Sequence, residues 1–543
     1  MRLNVRTIGL LLVLVMLAAL LPGPAMAQGG GGGTLIGAFD VGPGGAPQVR
    51  PFMDTAGRTW LIKIFTPLLS WNEDATGLAP QLAVDWSSNE DATVWTFNLR
   101  EGVLWHDGEP FTADDVRFSL ELAFNPAAAT GFPSFSQFTA ESLVGGEAYV
   151  NGEADHIEGI VVVDDLTIEF HLVAPKAQLP FSMVMAWVLP EHALADLDPA
   201  EYQTTDWFYT NPIGTGPFMH DEFEPDQFWA LVPNPNYWDG APLLDRLINR
   251  YFEDETAAIL ALQNGDIHFT YASSDVALSL QGDPNFVIHS GSSGVTNYLI
   301  FNLRNPAFQD VRVRQAFLYA IDRQAIADTI RQGTVQLVPC ISALSGMWPP
   351  AEELNAYEYD PEVARQLLAD AGWDSSVNYD IHTYYTSQTD QDTLAAFQAY
   401  LADVGVQVTP LTVDVPTYNS YFYSGEGWDI SYRGVGATLL YPWQFYSPGG
   451  FPDIEDPDET LIGPAYPELM DLMAQAQAET DTDTFLGLMQ DICAFQNENA
   501  LEGYVWTSIR YGVGSNNLAD FYWFPAQGGG PYVDHAELWA VAE

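Results

Sequence analysis

The sequence predicts a mixed α/β protein of two or more lobes, and three observations support this fold class. About 515 residues remain once a predicted leader is removed, which is too many for one hydrophobic core. Strand-like runs, in which apolar and polar residues alternate, are separated by amphipathic stretches with helical spacing. Behind the leader, no stretch is long and apolar enough to cross a membrane.

The N-terminus has the three-part layout of a secretory signal peptide. Two arginines precede an apolar run over 8–21, and small residues end at Ala27. We therefore expect residues 1–27 to be a cleaved signal peptide and residues 28–33 to be a flexible glycine-rich leader. No cysteine follows the expected cut, so no lipid anchor is evident. These features predict export to the periplasm or the cell exterior.

Secondary structure can be assigned from local patterns in chain order. Alternation over 94–99 predicts a half-buried strand. Thr112 and Asp115 have the spacing of a helix N-cap and its partner three residues on. A turn at 164–165 separates two further strand-like runs. Three more helices are predicted: one from Asp254 to Gly265, one capped by Asp310, and one from the Asp360 cap to Gly372.

Several ordered segments resemble the signature of the family 5 extracellular solute-binding proteins, the dipeptide and oligopeptide receptors of ABC importers. The segments are residues 78–86, 95–116, 211–218, 234–238, 301–303, 310–316, 320–323 and 364–373. Each motif is modest alone, but chance agreement of so many in the same order is very small. The resemblance covers most of the chain.

The resemblance implies a two-lobed periplasmic-binding-protein-like fold of class II (cluster C type), with an extra domain inserted in lobe one. Such a receptor closes on its solute like a clamp and delivers it to ABC transporter permease subunits in the membrane. The implied boundaries are 34–70, 206–295 and 508–543 for lobe one, 71–205 for the inserted domain, and 296–507 for lobe two. The chain would cross between the lobes near Thr296 and Thr507.

Cys340 and Cys493 are the only cysteines of the chain. In an exported protein they allow one long-range disulfide, and two buried free thiols are the alternative. Neither has the spacing of a metal or redox motif. Both would fall in lobe two, where a disulfide would not block closure.

The chain has 72 acidic and only 18 basic residues, which gives a formal net charge of −54. Lys63 and Lys176 are its only lysines. Because phosphates need cationic partners, nucleic acid binding is excluded, and anionic membrane surfaces are disfavoured for the same reason. The acidic residues are spread along the chain, so a solvated surface explains them better than a pocket for cations.

The residues with catalytic or metal-binding chemistry form no complete motif. His106-Asp107 is better explained as a strand end and turn than as a catalytic pair. Segment 214–217 lacks the lysine of a phosphate-binding loop, and Pro217 removes a donor. The carboxylates over 453–459 lack the glycine of a calcium loop. We therefore expect no enzyme activity, no metal and no cofactor, and a secreted hydrolase of glycans or peptides is the alternative.

The loop that follows Arg433 is the predicted solute site. Peptide-binding members of the family carry an aspartate at the position of Thr438, which pairs with the peptide ammonium, and no acid occurs between residues 430 and 451. A buried ammonium needs an opposite charge, so an oligosaccharide becomes a rival to a peptide as the solute of a monomeric receptor. Flat aromatic faces beside polar side chains suit such solutes. The predicted stacking residues are Tyr441, Trp443 and Tyr446, and the predicted polar anchors are Asn297, Arg433 and Gln444.

Overall fold

The structure is a computed structural model, and its strands and helices alternate as the sequence predicts. The residues that it describes are 32–39, 58–72, 77–128, 138–339, 348–436, 458–460, 462–519, 521 and 535–542. The strands are β1 (Thr34–Ala38), β2 (Leu69–Trp71), β3 (Leu78–Pro80), β4 (Ala83–Ser88), β5 (Val94–Leu99), β6 (Ile160–Asp164), β7 (Thr167–His171), β8 (Phe218–Glu224), β9 (Phe228–Pro233), β10 (Arg246–Arg250), β11 (Phe269–Ala272), β12 (Phe286–Phe301), β13 (Val335–Gln336), β14 (Asn378–Thr383), β15 (Gln407–Thr412), β16 (Ile430–Gly436), β17 (Glu459–Thr460), β18 (Gly463–Pro464), β19 (Glu502–Ser515), β20 (Leu518–Ala519) and β21 (Ala540–Val541). The α-helices are α1 (Arg58–Ile64), α2 (Ala113–Phe124), α3 (Gly146–Val150), α4 (Leu179–Ser182), α5 (Glu191–Leu194), α6 (Trp207–Thr210), α7 (Glu255–Asn264), α8 (Ser274–Ser279), α9 (Val311–Ala320), α10 (Arg323–Thr329), α11 (Pro361–Ala371), α12 (Gln388–Asp403), α13 (Val415–Ser424), α14 (Pro467–Ala478) and α15 (Thr482–Asn499).

Most strands belong to one long sheet in the order β15-β14-β16-β12-β19-β11-β1-β10-β9-β8, and β13 pairs with β19 beside this path. We call β15, β14 and β16 the second half-sheet, and β11, β1, β10, β9 and β8 the first half-sheet. The strands β12 and β19 lie between the two halves and belong to both. The sheet is therefore continuous through the middle of the molecule.

The two central strands are the longest of the described chain and run antiparallel. Their pairing extends from Phe286 opposite Ser515 to Ile300 opposite Glu502. The register shifts between Ser292 and Thr296, where the ladder is interrupted. Thr296 lies directly opposite Thr507, so the two crossing points that the family resemblance implies are paired residues.

A separate four-stranded sheet, in the order β4-β5-β7-β6, lies between β3 and β8 in the chain. We call residues 77–205 the inserted region because they interrupt the elements of the first half-sheet. Helix α2 packs on this sheet, and its capping box confirms the start predicted at Thr112. The strands predicted on either side of the 164–165 turn are confirmed as β6 and β7.

The other predicted helix caps are also confirmed. Asp254 accepts a hydrogen bond from the Ala257 amide at the start of α7, and Gly265 ends that helix in the left-handed conformation. Asp310 and Asp360 accept backbone amides in the same way at the starts of α9 and α11. Such caps satisfy amides that have no partner within the helix. The starts of these helices could therefore be predicted from neighbouring residues alone.

The stretch around His106 is part of the scaffold. Its imidazole Nδ1 accepts a hydrogen bond from the Gly214 amide at 3.1 Å, and Nε2 lies 3.1 Å from the Gly216 carbonyl oxygen. Gly214 and Gly216 approach the end of α1 so closely that a Cβ at either position would collide with the Ile64 backbone. The glycine-rich segment is thus a close packing contact between the inserted region and the first half-sheet.

The start of the described chain corrects the prediction of a flexible leader over 28–33. Gly32 already belongs to the fold, because its amide donates to the Leu243 carbonyl and its carbonyl accepts from the Val541 amide, both at 2.9 Å. The predicted signal peptide lies outside the described residues. Within those residues, no helix is long and apolar enough to span a membrane.

Candidate functional site

The candidate site lies at the edge of the second half-sheet where its parallel strands end. Strands β14, β15 and β16 are parallel, so their carboxyl ends meet at one edge. In open α/β sheets, ligands bind outside the carboxyl ends of the strands. The neighbouring strand β12 is antiparallel to β16 and brings Val295 opposite Gly436 at the same edge.

Asn297, one of the predicted anchors, lies on β12 opposite Gly434. Its Nδ2 donates to the Tyr385 hydroxyl at 3.0 Å, and its Oδ1 accepts from the Ser508 hydroxyl at 3.2 Å. The side chain is 6% exposed. Asn297 thus ties together three strands or strand ends, β12, β14 and β19, and helps to fix the shape of the edge.

Arg433, the second predicted anchor, lies on β16 opposite Tyr298. Its guanidinium carbon lies 4.5 Å from the ring centre of Phe422 and 5.8 Å from that of Tyr418, both on α13. Its Nε and Nη1 atoms are shielded from solvent and have no hydrogen-bond partner among the residues that the structure describes. This is a cation that is held by aromatic rings and has donors left over.

The two predicted anchors point to opposite faces of the sheet. Side chains alternate along a strand, and residues directly opposite each other on paired strands share a face. Arg433 shares its face with Tyr298, whereas Asn297 shares its face with Tyr385, whose ring lies 5.7 Å from that of Tyr432. A solute that contacts both anchors must therefore lie across the edge of the sheet.

The sequence argument missed the tyrosines that surround the two anchors. They come from three parts of the chain, which are β12, the residues directly after β14, and α13. Only the adjacent pair Tyr384-Tyr385, which follows the alternating residues of β14, carried a usable signal in the sequence. Tyr384 lies 5.0 Å from Tyr418 and 4.7 Å from Tyr385 between ring centres. The surrounding tyrosines are Tyr298, Tyr384, Tyr385, Tyr418 and Tyr423.

The tyrosine hydroxyls stay protonated at neutral pH. Burial raises the pKa of Tyr418 to about 12 and raises the pKa of Tyr298 and of Tyr385 still further above the usual value. Burial acts to lower the pKa of Arg433, the nearby tyrosines act to raise it, and the pKa is raised overall. The guanidinium is therefore charged and is surrounded by neutral hydroxyl dipoles.

The remaining predicted site residues, Tyr441, Trp443, Gln444 and Tyr446, lie outside the described residues, as does Thr438. Cys493 is buried and disulfide-bonded, and its predicted partner Cys340 lies outside the described residues, so that pairing stays a prediction. In the part of the chain that the structure describes, no group of three acidic, histidine or cysteine side chains is placed to hold a metal ion.

Two cavities among the described residues lie away from this edge. One, of about 350 Å³, lies between Leu318, Trp348 and Tyr357. The other, of about 450 Å³, lies between α1 and the inserted region and is lined by Lys63 and Arg100 among others. Neither is lined by Asn297 or Arg433.

A second contact joins parts of the chain that are distant in sequence, the inserted region and helix α14. The Ala177 amide of the inserted region donates to the Gln477 carbonyl at the end of α14, at 3.1 Å. The Gln178 side-chain amide donates to the neighbouring Ala476 carbonyl. The inserted region thus bonds to the last carbonyls of α14, which have no partner within the helix.

Comparison with known proteins agrees with this architecture. A protein of Brucella ovis, whose name provisionally assigns it as an ABC transporter peptide-binding protein, is 37% identical over 98% of both chains. The dipeptide-binding protein of Escherichia coli is 27% identical over 70% of this chain and 73% of its own. The crystal structure of the ABC transporter substrate-binding protein CtaP from Listeria monocytogenes superposes with a TM-score of 0.77, at 20% identity, over 94% of this chain and all of that one.

These comparisons confirm the predicted fold class, a two-lobed periplasmic-binding-protein-like fold with a domain inserted in the first lobe. The sequence pattern of the family described as bacterial extracellular solute-binding proteins, family 5 Middle, matches residues 77–454. That match spans most of the chain and includes both anchors. The chain belongs to the family 5 bacterial extracellular solute-binding proteins.

Proposed function

We propose that the chain is the solute receptor of an ABC importer, that it captures a peptide between its two lobes, and that it delivers the peptide to permease subunits in the membrane. The observation that carries this proposal is the polar and aromatic edge around Arg433 and Asn297, at the carboxyl ends of parallel strands beside the strands that join the lobes. The peptide-binding names of the relatives support the solute class.

The clamp motion would be centred on β12 and β19. A register shift between Ser292 and Thr296 interrupts their ladder, and a shift of this kind leaves the backbone locally less constrained. The Thr507 hydroxyl donates to the Val295 carbonyl at 3.0 Å beside this point. We propose this place as the hinge, with lobe one formed by 34–70, 206–295 and 508–543 and lobe two by 296–507.

Closure would follow the differential contacts of the solute. A ligand shifts the equilibrium between open and closed forms only as far as it binds the closed form better. Solute held at the edge of lobe two by Asn297 and Arg433, and by the loop with Tyr441, Trp443 and Tyr446, would add contacts to lobe one only after closure. The permease would then recognise the closed receptor, which we propose acts as a monomer outside the cytoplasmic membrane.

A neutral oligosaccharide is the second candidate solute. The chain has no acid between residues 430 and 451 to pair with a peptide ammonium. Tyrosine rings such as Tyr384 and Tyr423 beside hydroxyl and amide groups could pack on sugar rings. A secreted hydrolase is less favoured, because the relatives carry the names of binding proteins.

A thermal-shift screen of the mature chain tests the proposal. Bound solute raises the melting temperature by mass action, so dipeptides, tripeptides and tetrapeptides should raise it while oligosaccharides and nickel chelates should not. Small-angle scattering with the best peptide should show a smaller radius of gyration than without it. Stabilisation by oligosaccharides alone would replace the peptide by the second candidate, and a radius unchanged by every stabilising solute would contradict the clamp.

A further inference from the structure

The cavity between α1 and the inserted region is lined by charges of both signs. Its volume is about 450 Å³, and small-molecule sites usually measure roughly 300–1,000 Å³. The basic side chains that line it are Lys63 and Arg100, and the acidic ones are Asp239 and Glu537. Only 18 of the 543 residues of the chain are lysine or arginine, so two of them at one cavity set this place apart from the acidic surface.

Arg100 is fixed in place at this cavity and still has unused donors. Its guanidinium carbon lies 4.1 Å from the ring centre of Trp238, and its Nε donates to the Gln81 carbonyl at 3.0 Å. Nη1 and Nη2 make no hydrogen bond to the residues that the structure describes. Because the ring and the carbonyl hold the guanidinium from two sides, its outer nitrogens form a preorganised fork for an oxyanion.

Asp239 follows Trp238 directly and has the opposite charge. Its carboxylate accepts no hydrogen bond from the described residues and forms no ion pair with Arg100, although both side chains line the same cavity. Burial raises the pKa of Asp239 and the Glu537 carboxylate raises it further, whereas Arg100 and His535 act to lower it. The Arg100 charge is thus near enough to act on Asp239 but does not neutralise it.

Glu537 lies beside Asp239 and is almost fully buried. Its Oε1 lies 3.0 Å from Nδ1 of His535, and within the described part of the chain its second carboxylate oxygen has no donor. The Nε1 atom of Trp238 is shielded from solvent and has no acceptor among the same residues. Buried polar groups in proteins are normally hydrogen-bonded, so this wall has bonding capacity that the described residues do not use.

We propose that this cavity binds a small zwitterion, whose carboxylate pairs with Nη1 and Nη2 of Arg100 and whose ammonium lies between Asp239 and Glu537. A free amino acid is the simplest ligand of this class. A purely anionic ligand would be repelled by the two carboxylates, and a purely cationic one by the guanidinium and by the buried Lys63 ammonium. A ligand with both charges is attracted at each end.

Such a ligand would bridge two parts of the chain without closing the clamp. Arg100 belongs to the inserted region, whereas Asp239 and Glu537 lie outside it. The cavity is not lined by Asn297 or Arg433, so the assignment goes beyond the proposed function and stands without it. A bound zwitterion should therefore raise the melting temperature by mass action and leave the radius of gyration unchanged.

The test uses five probes and four forms of the full mature chain. Glycine, β-alanine and 4-aminobutyrate are zwitterions with an increasing distance between the charges, and propionate and propylamine each lack one charge. The chains are the parent, Arg100→Met, Asp239→Asn and the control Arg250→Met, whose arginine also lies over a ring, that of Phe252, at 5.1 Å, but is on β10. Titration calorimetry gives the affinities, and melting temperatures report folding.

We expect at least one zwitterion to bind the parent and Arg250→Met equally well, and propionate and propylamine to bind neither. Arg100→Met and Asp239→Asn should each weaken this binding by about tenfold or more, because each removes a charged partner of the ligand. Asp239→Asn preserves the size of the side chain, so it decides the question if Arg100→Met does not fold. Small-angle scattering of the parent should be the same with and without the zwitterion.

Four results would overturn the inference. They are the absence of binding of every zwitterion to the parent at about 10 mM, where a site with a dissociation constant of 1 mM would be about nine-tenths filled, unchanged affinity in both variants, equal affinity for propionate, and a radius of gyration that falls on binding. Failure of every peptide to bind would instead contradict the proposed function alone, because binding at this cavity is judged by the Arg100 and Asp239 variants.

Discussion

The inserted region meets the rest of the molecule on two faces that differ in size and chemistry. Toward the first half-sheet, its backbone donates and accepts through Ala186 and Val188, and Trp187 is buried between them. Toward the helices α14 and α15, the contact includes the bonds from Ala177 and Gln178 and the half-buried ring of Phe181 beside Phe485. The first face thus includes a fully buried ring, whereas the ring on the second face is only half-buried.

This difference indicates which parts move together. Burial of large apolar side chains and paired backbone groups makes the first face expensive to separate. The bonds from Ala177 and Gln178 on the second face can be exchanged for bonds to water in an opening motion. We therefore expect the inserted region to follow the first lobe when the clamp opens, and the contact with α14 to be made and broken in each cycle.

Truncation of one large ring on each face should give the largest difference. Trp187 is buried on the first face, between the backbone bonds of Ala186 and Val188. Trp187→Ala should lower the free energy of unfolding by about 3–5 kcal/mol, because it leaves a cavity in a shared core. Phe181→Ala, on the second face, removes a half-buried ring 5.9 Å from Phe485 and should cost about 1 kcal/mol. Chemical denaturation measures both, and equal losses would show that the faces are equally integrated.

The first face should also make stability depend on acid pH. Burial lowers the pKa of His106 to about 4, from an unfolded value near 6.5. Between these values the unfolded chain binds more protons than the folded one, so stability present above pH 6.5 is lost as the pH falls toward 4. This group alone contributes about 3 kcal/mol over that range.

Denaturation at pH 7 and pH 4.5 of His106→Gln tests this contribution. The variant should be less stable than the parent at pH 7, because Gly214 and Gly216 lose a matched partner, but it should lose less stability on acidification. The control His156→Gln alters a side chain that is 68% exposed and should follow the parent at both pH values. If acidification lowers the stability of His106→Gln as much as that of the parent, the His106 imidazole is not the source of the acid dependence.

A substitution on the second face should give the smallest effect. It should change the equilibrium between the open and closed forms more than the free energy of unfolding. Gln178→Ala removes a side-chain bond to the Ala476 carbonyl and should favour the open form by about 1 kcal/mol. The control Gln398→Ala removes an equivalent bond to the Val408 carbonyl within one lobe. Small-angle scattering of the solute-free proteins should show a larger radius of gyration only for Gln178→Ala. Identical curves for both variants would mean that this contact does not hold the lobes.

Local sequence patterns predicted much of the secondary structure correctly. The caps at Thr112, Asp254, Asp310 and Asp360 act on amides a few residues away, so neighbouring residues contain the necessary information. Residues 428–433 also have the pattern of a strand, and the strand of the structure, β16, runs from Ile430 to Gly436. Boundaries shifted by a residue or two because strand ends depend on their pairing partners.

The candidate site was only partly predictable. Asn297 and Arg433 were named from the sequence, and both lie at the strand-end edge. Their opposite orientations follow from the register between β12 and β16, which joins residues more than 130 positions apart and leaves no trace in either segment alone. For the same reason, the grouping of Tyr298, Tyr384 and Tyr418 around Arg433 was missed.

The sequence by itself determined the α/β class, the helix caps, the family and the absence of an acid after β16, because these depend on neighbouring residues or on ordered motifs. Only the tertiary structure decided that Arg433 packs on the rings of Tyr418 and Phe422 while Arg331 pairs with Asp390. It also decided that His106 of the inserted region bonds to Gly214 and Gly216 outside it. Burial and pairing are sums over contacts between distant segments, so they have no value until the chain has folded.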